Sequence, residues 1–140
     1  MTRVHYLAVV VIIAIITFCM FMIVPAYAQE AAGLKVEYGA ICRNVVNYEA
    51  VEGGISFPAS VEKLYCFTRI VGASNPTEIT HVWYYGDTER GRVVLAVDSS
   101  NWRTYSSKVI QSHEVGAWQV VVLDSSGNVL ESFRFDIIQE

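Results

Sequence analysis

The sequence predicts an all-β protein, a sandwich of about seven strands behind an N-terminal export segment. Three observations predict it. From Leu34 onward, short runs rich in Val, Ile, Tyr, Phe and Trp are separated by turn clusters at fairly regular spacing. Within those runs apolar residues recur at every second position, the repeat of a strand with one buried face. No stretch of residues 34–140 carries a helical period.

The 53% hydrophobic content of the 140-residue chain is concentrated at its start. Positions 7 to 24 run without a charge, Arg3 precedes them, Pro25 ends them, and Ala26-Tyr27-Ala28 follows as a small-x-small cleavage signal. That layout predicts a secretory signal peptide over 1–28, cut after Ala28. The run is longer than the usual apolar segment and approaches the roughly 30 Å of a bilayer's hydrocarbon layer. An uncleaved membrane anchor is therefore the alternative. Both readings leave the remainder exported, in the periplasm or on the outer side of the cytoplasmic membrane, because Arg3 favours a cytoplasmic N-terminus. Gln29 to Gly33 reads as a flexible lead-in, and 34–140 as one β domain.

Setting aside residues 1–28 removes Arg3 and leaves nine basic against fourteen acidic side chains, a formal charge of −5. That balance disfavours nucleic acid and anionic lipid as partners, and leaves membrane contact to the N-terminal segment alone. Cys42 and Cys66 are the two cysteines beyond the export segment. An even pair in an exported chain predicts a disulfide, which would stabilise the fold by about 3–4 kcal/mol through loop closure. Two buried free thiols are the alternative.

Seven strands follow in order. Leu34–Asn44 places Val36, Tyr38, Ala40 and Cys42 on one side of the pleat. Asn47–Ser60, with Gly53-Gly54 and Pro58, reads as a long connection with room for one short edge pairing. Val61–Val71 aligns Leu64, Cys66, Thr68 and Ile70, and an antiparallel pairing with the first strand would set the cysteines opposite each other. After the turn ending at Pro76, Glu78–Tyr85 carries His81, Trp83 and Tyr85 on one face. A polar hairpin at Gly86–Gly91 leads to Arg92–Val97, apolar on both faces and so predicted to be buried. Trp102 to Ile110 is the fifth strand and Ala117–Leu123, with Trp118 in the core, the sixth. Asp124-Ser125-Ser126-Gly127-Asn128 is a hairpin turn with Gly127 or Asn128 in the left-handed position, and Val129–Ile138 closes the domain. Seven strands of this kind predict an immunoglobulin-like sandwich. It is not an antibody-type one, since both cysteines precede Trp83.

From Ile79 onward the order of features resembles a bacterial domain-of-unknown-function family, the one numbered 2914. The residues that carry the likeness are Thr80-His81-Val82-Trp83-Tyr84, Trp102 to Lys108, Gly116-Ala117-Trp118-Gln119-Val120, Gly127-Asn128-Val129-Leu130 and Phe133-Arg134-Phe135. The resemblance extends over roughly Tyr38 to Ile138 and implies a small exported or membrane-attached β domain. It implies no activity, cofactor or ligand.

The candidate chemistry lies in Trp102-Arg103-Thr104-Tyr105-Ser106-Ser107-Lys108, two aromatics, two cations and three hydroxyls in seven residues. With Trp83 and Tyr85 it yields a candidate ligand site of Trp83, Tyr85, Trp102, Arg103, Tyr105 and Lys108, an aromatic surface edged by cations that suits a sugar ring or a partner's loop. The competing reading buries the rings between sheets and leaves the cations on the rim. Alternation divides the stretch: Trp102, Thr104, Ser106 and Lys108 share one side, and Arg103, Tyr105 and Ser107 the other, so only one set can line a surface.

Enzyme function is not expected. No Gly-x-Ser-x-Gly elbow is present, and the one drawable candidate, a hydrolase using His81 with an aspartate, has no spacing behind it. His81 and His113 lack metal-ligand spacing, and Asp124–Asn128 lacks the spaced carboxylates of a calcium loop, so neither metal nor cofactor is expected. The expected role is a non-enzymatic binding or accessory module of the bacterial envelope, taking a protein or glycan. A structural envelope protein held by its N-terminal helix is the alternative.

Overall fold

Alternation along the strands sorts the side chains into an inner and an outer set, and the inner sets of two sheets meet in the core. The computed structural model describes residues 33–140. The expected signal segment, its cleavage site at Ala26 and Ala28, and all of the lead-in but Gly33 lie outside the described residues. Among the described residues nine strands form: β1 (Lys35–Val46), β2 (Glu49–Gly53), β3 (Ser56–Pro58), β4 (Lys63–Val71), β5 (Thr77–Tyr85), β6 (Thr88–Val97), β7 (Asn101–Val109), β8 (Gly116–Leu123) and β9 (Val129–Ile138). One sheet has the order β2-β1-β4-β7 and the other β3-β9-β8-β5-β6. The described residues are all-β, in two sheets.

Two strands exceed the seven expected, and both come from the segment read as a connection. β1 and β2 form a hairpin closed by Asn47-Tyr48, with Val46 paired to Glu49 and φ of 51° and 56° at the two loop residues. Two consecutive left-handed residues are what a type I′ loop requires, and tyrosine is an unusual occupant. β3 then pairs parallel to β9, carrying the chain from one sheet to the other. The polar hairpin before β6 shrinks to Gly86-Asp87, because Tyr85 pairs directly with Thr88. β6 also corrects an expectation: it is the free edge of its sheet, Val94 is 57% exposed, and of its residues only Val97 is buried.

The core forms two apolar clusters. One gathers Trp83, Trp118, Phe135, Leu64, Cys66 and Ile41 with their neighbours; the other gathers Ile70, Ile79, Val97 and Val122. Along β4 and β5 the polar pair Thr68 and His81 falls between them.

Bulges adjust this frame at three points by inserting one residue into one strand of a pair. Glu37 is the extra residue where Val36 pairs with Ile70 but Tyr38 with Arg69, which moves Val36 to the inner face and leaves Tyr38 outside. Arg90 is extra in β6, and Leu130 in β9. Gly39 faces inward, where a Cβ would stand 2.2 Å from Cζ of Phe133 in β9. The glycine makes room for that ring.

The disulfide is a further correction. Cys42 pairs with Tyr65 and Cys66 with Ile41, a register one residue away from the one assumed, so the two side chains leave opposite faces of the sheet. Both are free, buried thiols. Burial pushes both thiols up, Cys66 far beyond the usual range.

Candidate functional site

The division within Trp102–Lys108 is decided by the pairing of β7 with β4. Trp102, Thr104, Ser106 and Lys108 stand opposite Ile70, Thr68, Cys66 and Leu64, the inner row of β4. Arg103, Tyr105 and Ser107 stand opposite Arg69, Phe67 and Tyr65, the outer row. The inner set builds core and the outer set builds surface.

Of the six candidate ligand residues, the structure therefore brings Arg103 and Tyr105 together outside. Trp83 is fully buried. Tyr85 packs on Trp118 with ring centroids 5.1 Å apart, and its hydroxyl donates to the Val115 carbonyl at 2.6 Å. Lys108 is half-buried beside Gly91 on the inner side. Trp102 packs against the cluster of Ile70, Ile79, Val97 and Val122, yet also reaches a surface cleft. The single site expected from the sequence resolves into a buried polar cluster and an outer face.

In the buried cluster, Oγ of Ser106 lies 2.7 Å from His81 Nδ1 and accepts the Trp83 indole N–H at 3.0 Å. Oγ1 of Thr68 lies 3.2 Å from His81 Nε2 and donates to the Thr104 carbonyl at 3.5 Å. One proton assignment satisfies every group: Trp83 donates to Ser106, Ser106 to Nδ1, and Nε2–H to Thr68. The ring is neutral, and burial lowers its pKa to about 4. A serine and histidine at hydrogen-bond distance suggest nucleophile chemistry, but both are sealed between the sheets, and His81's bonded side-chain partners are hydroxyls. The cluster fixes Trp83 and joins the sheets.

The outer face of β2-β1-β4-β7 has a different character. Tyr38 packs on Phe67 at 6.0 Å, Tyr65 on Tyr105 at 6.0 Å, and Tyr105 on Tyr48 at 6.2 Å. Lys63 Nζ lies 5.9 Å above the Tyr65 ring. Phe67 is buried beneath this layer, while Tyr38, Tyr48 and Tyr105 are 53%, 59% and 41% exposed. Beside the layer, an open cleft of ≈ 610 Å³ is lined by Asn47, Tyr48, Arg69, Asn101, Trp102 and Arg103. Nε of Arg69 donates to Asn101 Oδ1 at 3.0 Å and lies 3.1 Å from Glu37 Oε2. Nη1 of Arg103 donates to Glu49 Oε1 at 2.6 Å. Each cleft arginine is thus matched by one carboxylate.

Sequence reasoning missed Tyr38, Tyr48, Tyr65, Phe67, Arg69 and both asparagines. A signal for three of them was present: once Leu64, Cys66, Thr68 and Ile70 share the inner row, Tyr65, Phe67 and Arg69 must share the outer one. Tyr48 had none, because a type I′ loop is announced by Asn-Gly rather than Asn-Tyr. Among the described residues no group of three or more His, Cys, Asp or Glu side chains is placed to hold a metal ion.

Residues 76–137 match the model of a protein family described as a protein of unknown function, DUF2914. The chain resembles that family. The matched residues run from the start of β5 into β9 and include β7, so Asn101, Trp102 and Arg103 lie within the DUF2914 match. Asn47, Tyr48 and Arg69 lie before it. The cleft is therefore assembled half from the DUF2914 segment and half from the β1–β2 loop and β4, which precede it. No curated protein matches the chain.

Proposed function

We propose that this protein is a non-enzymatic binding or accessory module of the bacterial envelope, and that its binding surface is the outer face of β2-β1-β4-β7. One observation carries the reading: Tyr38, Tyr48, Tyr65, Phe67 and Tyr105 gather on the outward side of one sheet, with three of those residues about half exposed. A solvated sheet face does not need such a layer, and contiguous exposed aromatics edged by arginine are what binding surfaces are enriched in. Export is part of the proposal and rests on Arg3, the apolar run and Ala26-Tyr27-Ala28. The cysteines lend it no support, since both are free. The non-enzymatic reading is favoured by the closure of the His81 cluster against solvent.

We also infer an immunoglobulin-like connectivity. β1, β4 and β7 correspond to strands A, B and E, and β9, β8, β5 and β6 to G, F, C and C′, with β3 beside β9 as a displaced part of the first strand.

The test is photo-crosslinking in intact bacterial cells from an unnatural residue at position 105, compared with position 94 on the exposed edge strand of the other sheet. Adducts to an envelope component from 105 and none from 94 are expected. Equal labelling from both positions, or none from 105, removes the reading.

A further inference from the structure

The cleft at the end of this face is chemically more specific than the aromatic layer beside it. Its ≈ 610 Å³ lies within the range of small-ligand sites. Its walls hold hydrogen-bonding groups of both kinds. Arg69 uses Nε for Asn101 and Glu37, and no described residue bonds its two Nη groups. Arg103 uses Nη1 for Glu49 and keeps Nη2. The amide N–H of Asn101 and the whole side-chain amide of Asn47 add further donors and an acceptor. An aromatic ring, Tyr48, stands at the same place.

Charge decides between ligand classes. Two arginines meet two carboxylates, so the cleft is locally neutral and offers an incoming carboxylate or phosphate no net attraction, since Glu37 and Glu49 oppose its charge beside the guanidinium N–H groups it would use. A neutral sugar ring meets no such opposition. Its hydroxyls each donate and accept, matching the mixed Arg and Asn walls, and its C–H face stacks on an aromatic ring.

A second, independent observation points to Tyr48. Its φ of 56° places a large side chain in the left-handed region, at a loop position that glycine fills without strain. Held strain of this kind clusters at ligand clamps. Tyr48 is 59% exposed, so packing accounts for little of it. The type I′ loop sets this φ, but a tyrosine there, lining the cleft, carries a conformational cost that glycine would not.

We propose that this cleft binds a neutral pyranose unit of a glycan, stacked on Tyr48 and hydrogen-bonded by Arg69, Asn101, Arg103 and Asn47. This rests on the reading of the same sheet face as a binding surface and names its ligand class.

The test is titration of the full-length protein with neutral oligosaccharides spanning hexoses, N-acetylhexosamines and deoxyhexoses, and with an acidic uronate oligomer, followed by tryptophan fluorescence and calorimetry. Saturable binding of at least one neutral oligosaccharide is expected, with affinity changing less than about twofold between roughly 0.05 and 0.5 M salt. Tyr48→Gly should weaken it about tenfold or more while the urea midpoint is not lowered, because glycine relieves the loop. Asn101→Ala should weaken it comparably. Failure of every neutral oligosaccharide, retention of binding in both variants, or salt-sensitive binding of the uronate oligomer alone overturns the proposal. If crosslinking from position 105 still captures a protein in that event, the surface stands and the sugar does not. If both experiments fail, the surface itself is removed.

Discussion

At the scale of single residues, His81 and Glu114 show opposite ways of burying a polar side chain. His81 is neutral between two hydroxyls, with its pKa lowered by burial to about 4 from an ordinary 6.5. The unfolded chain takes up a proton below pH 6.5 that the folded one refuses until about pH 4. Stability from this group is therefore complete above 6.5, falls as pH drops through that interval, and levels off below about 4. Denaturant titrations should show it contributing about 2 kcal/mol of loss between about pH 7 and pH 5, a component absent in His81→Gln. Glu114 is instead buried against a cation: Arg90 donates to its Oε1, and its Oε2 accepts the Gln111 N–H at 2.9 Å. Arg90→Ala leaves that carboxylate without its cation and should cost about 3 kcal/mol. Arg90→Leu combined with Glu114→Gln, which keeps the acceptor for Gln111, should recover most of the loss in urea unfolding.

At the scale of elements, the bulges decide which side chains arrive where. The extra residue in β6 is Arg90 itself, so the bulge that breaks the ladder also aims the guanidinium at Glu114 in the β7–β8 corner. The extra residue in β1 is Glu37, which reaches Arg69 across the outer face. Past that bulge, Gly39 lies under Phe133, and this contact ties one sheet to the other. Alanine normally improves on glycine within a strand, yet Gly39→Ala should destabilise the protein by about 1–3 kcal/mol, since a Cβ there collides with a core ring. Gly39→Ala with Phe133→Leu should be milder than the sum of the two single changes, measured as a double-mutant cycle. None of the bulges was legible in advance. Alternation can be read from one strand, but a bulge is a property of a pair.

At the scale of the whole molecule, the two thiols record how the sheet is registered. Cys42 and Cys66 leave opposite faces, both are buried, and burial raises both pKa values, which withholds the reactive thiolate. Peptide mapping after alkylation of the native protein should find both positions unmodified, and mapping after alkylation in denaturant should find both labelled without prior reduction. Protection that persisted in denaturant until a reductant was added would require a disulfide and a different register.

The sequence by itself determined the class and the inner rows. Alternating Leu64, Cys66, Thr68 and Ile70, and Trp118, Val120 and Val122, face the core as their spacing requires. The left-handed residue of the Asp124–Asn128 hairpin is Gly127, at φ 85°. The sequence also isolated Trp102–Lys108 and showed that only one of its two faces can meet solvent. Which face does so was a tertiary decision, because period two is symmetric under exchange of inside and outside until a partner strand breaks the symmetry. β4 breaks it by pairing its apolar row with Trp102, Thr104, Ser106 and Lys108. That one choice buries the histidine cluster and turns Tyr105 and Arg103 outward. It also brings the start of β7 next to the Asn47-Tyr48 loop, more than fifty residues earlier in the chain, to form the cleft.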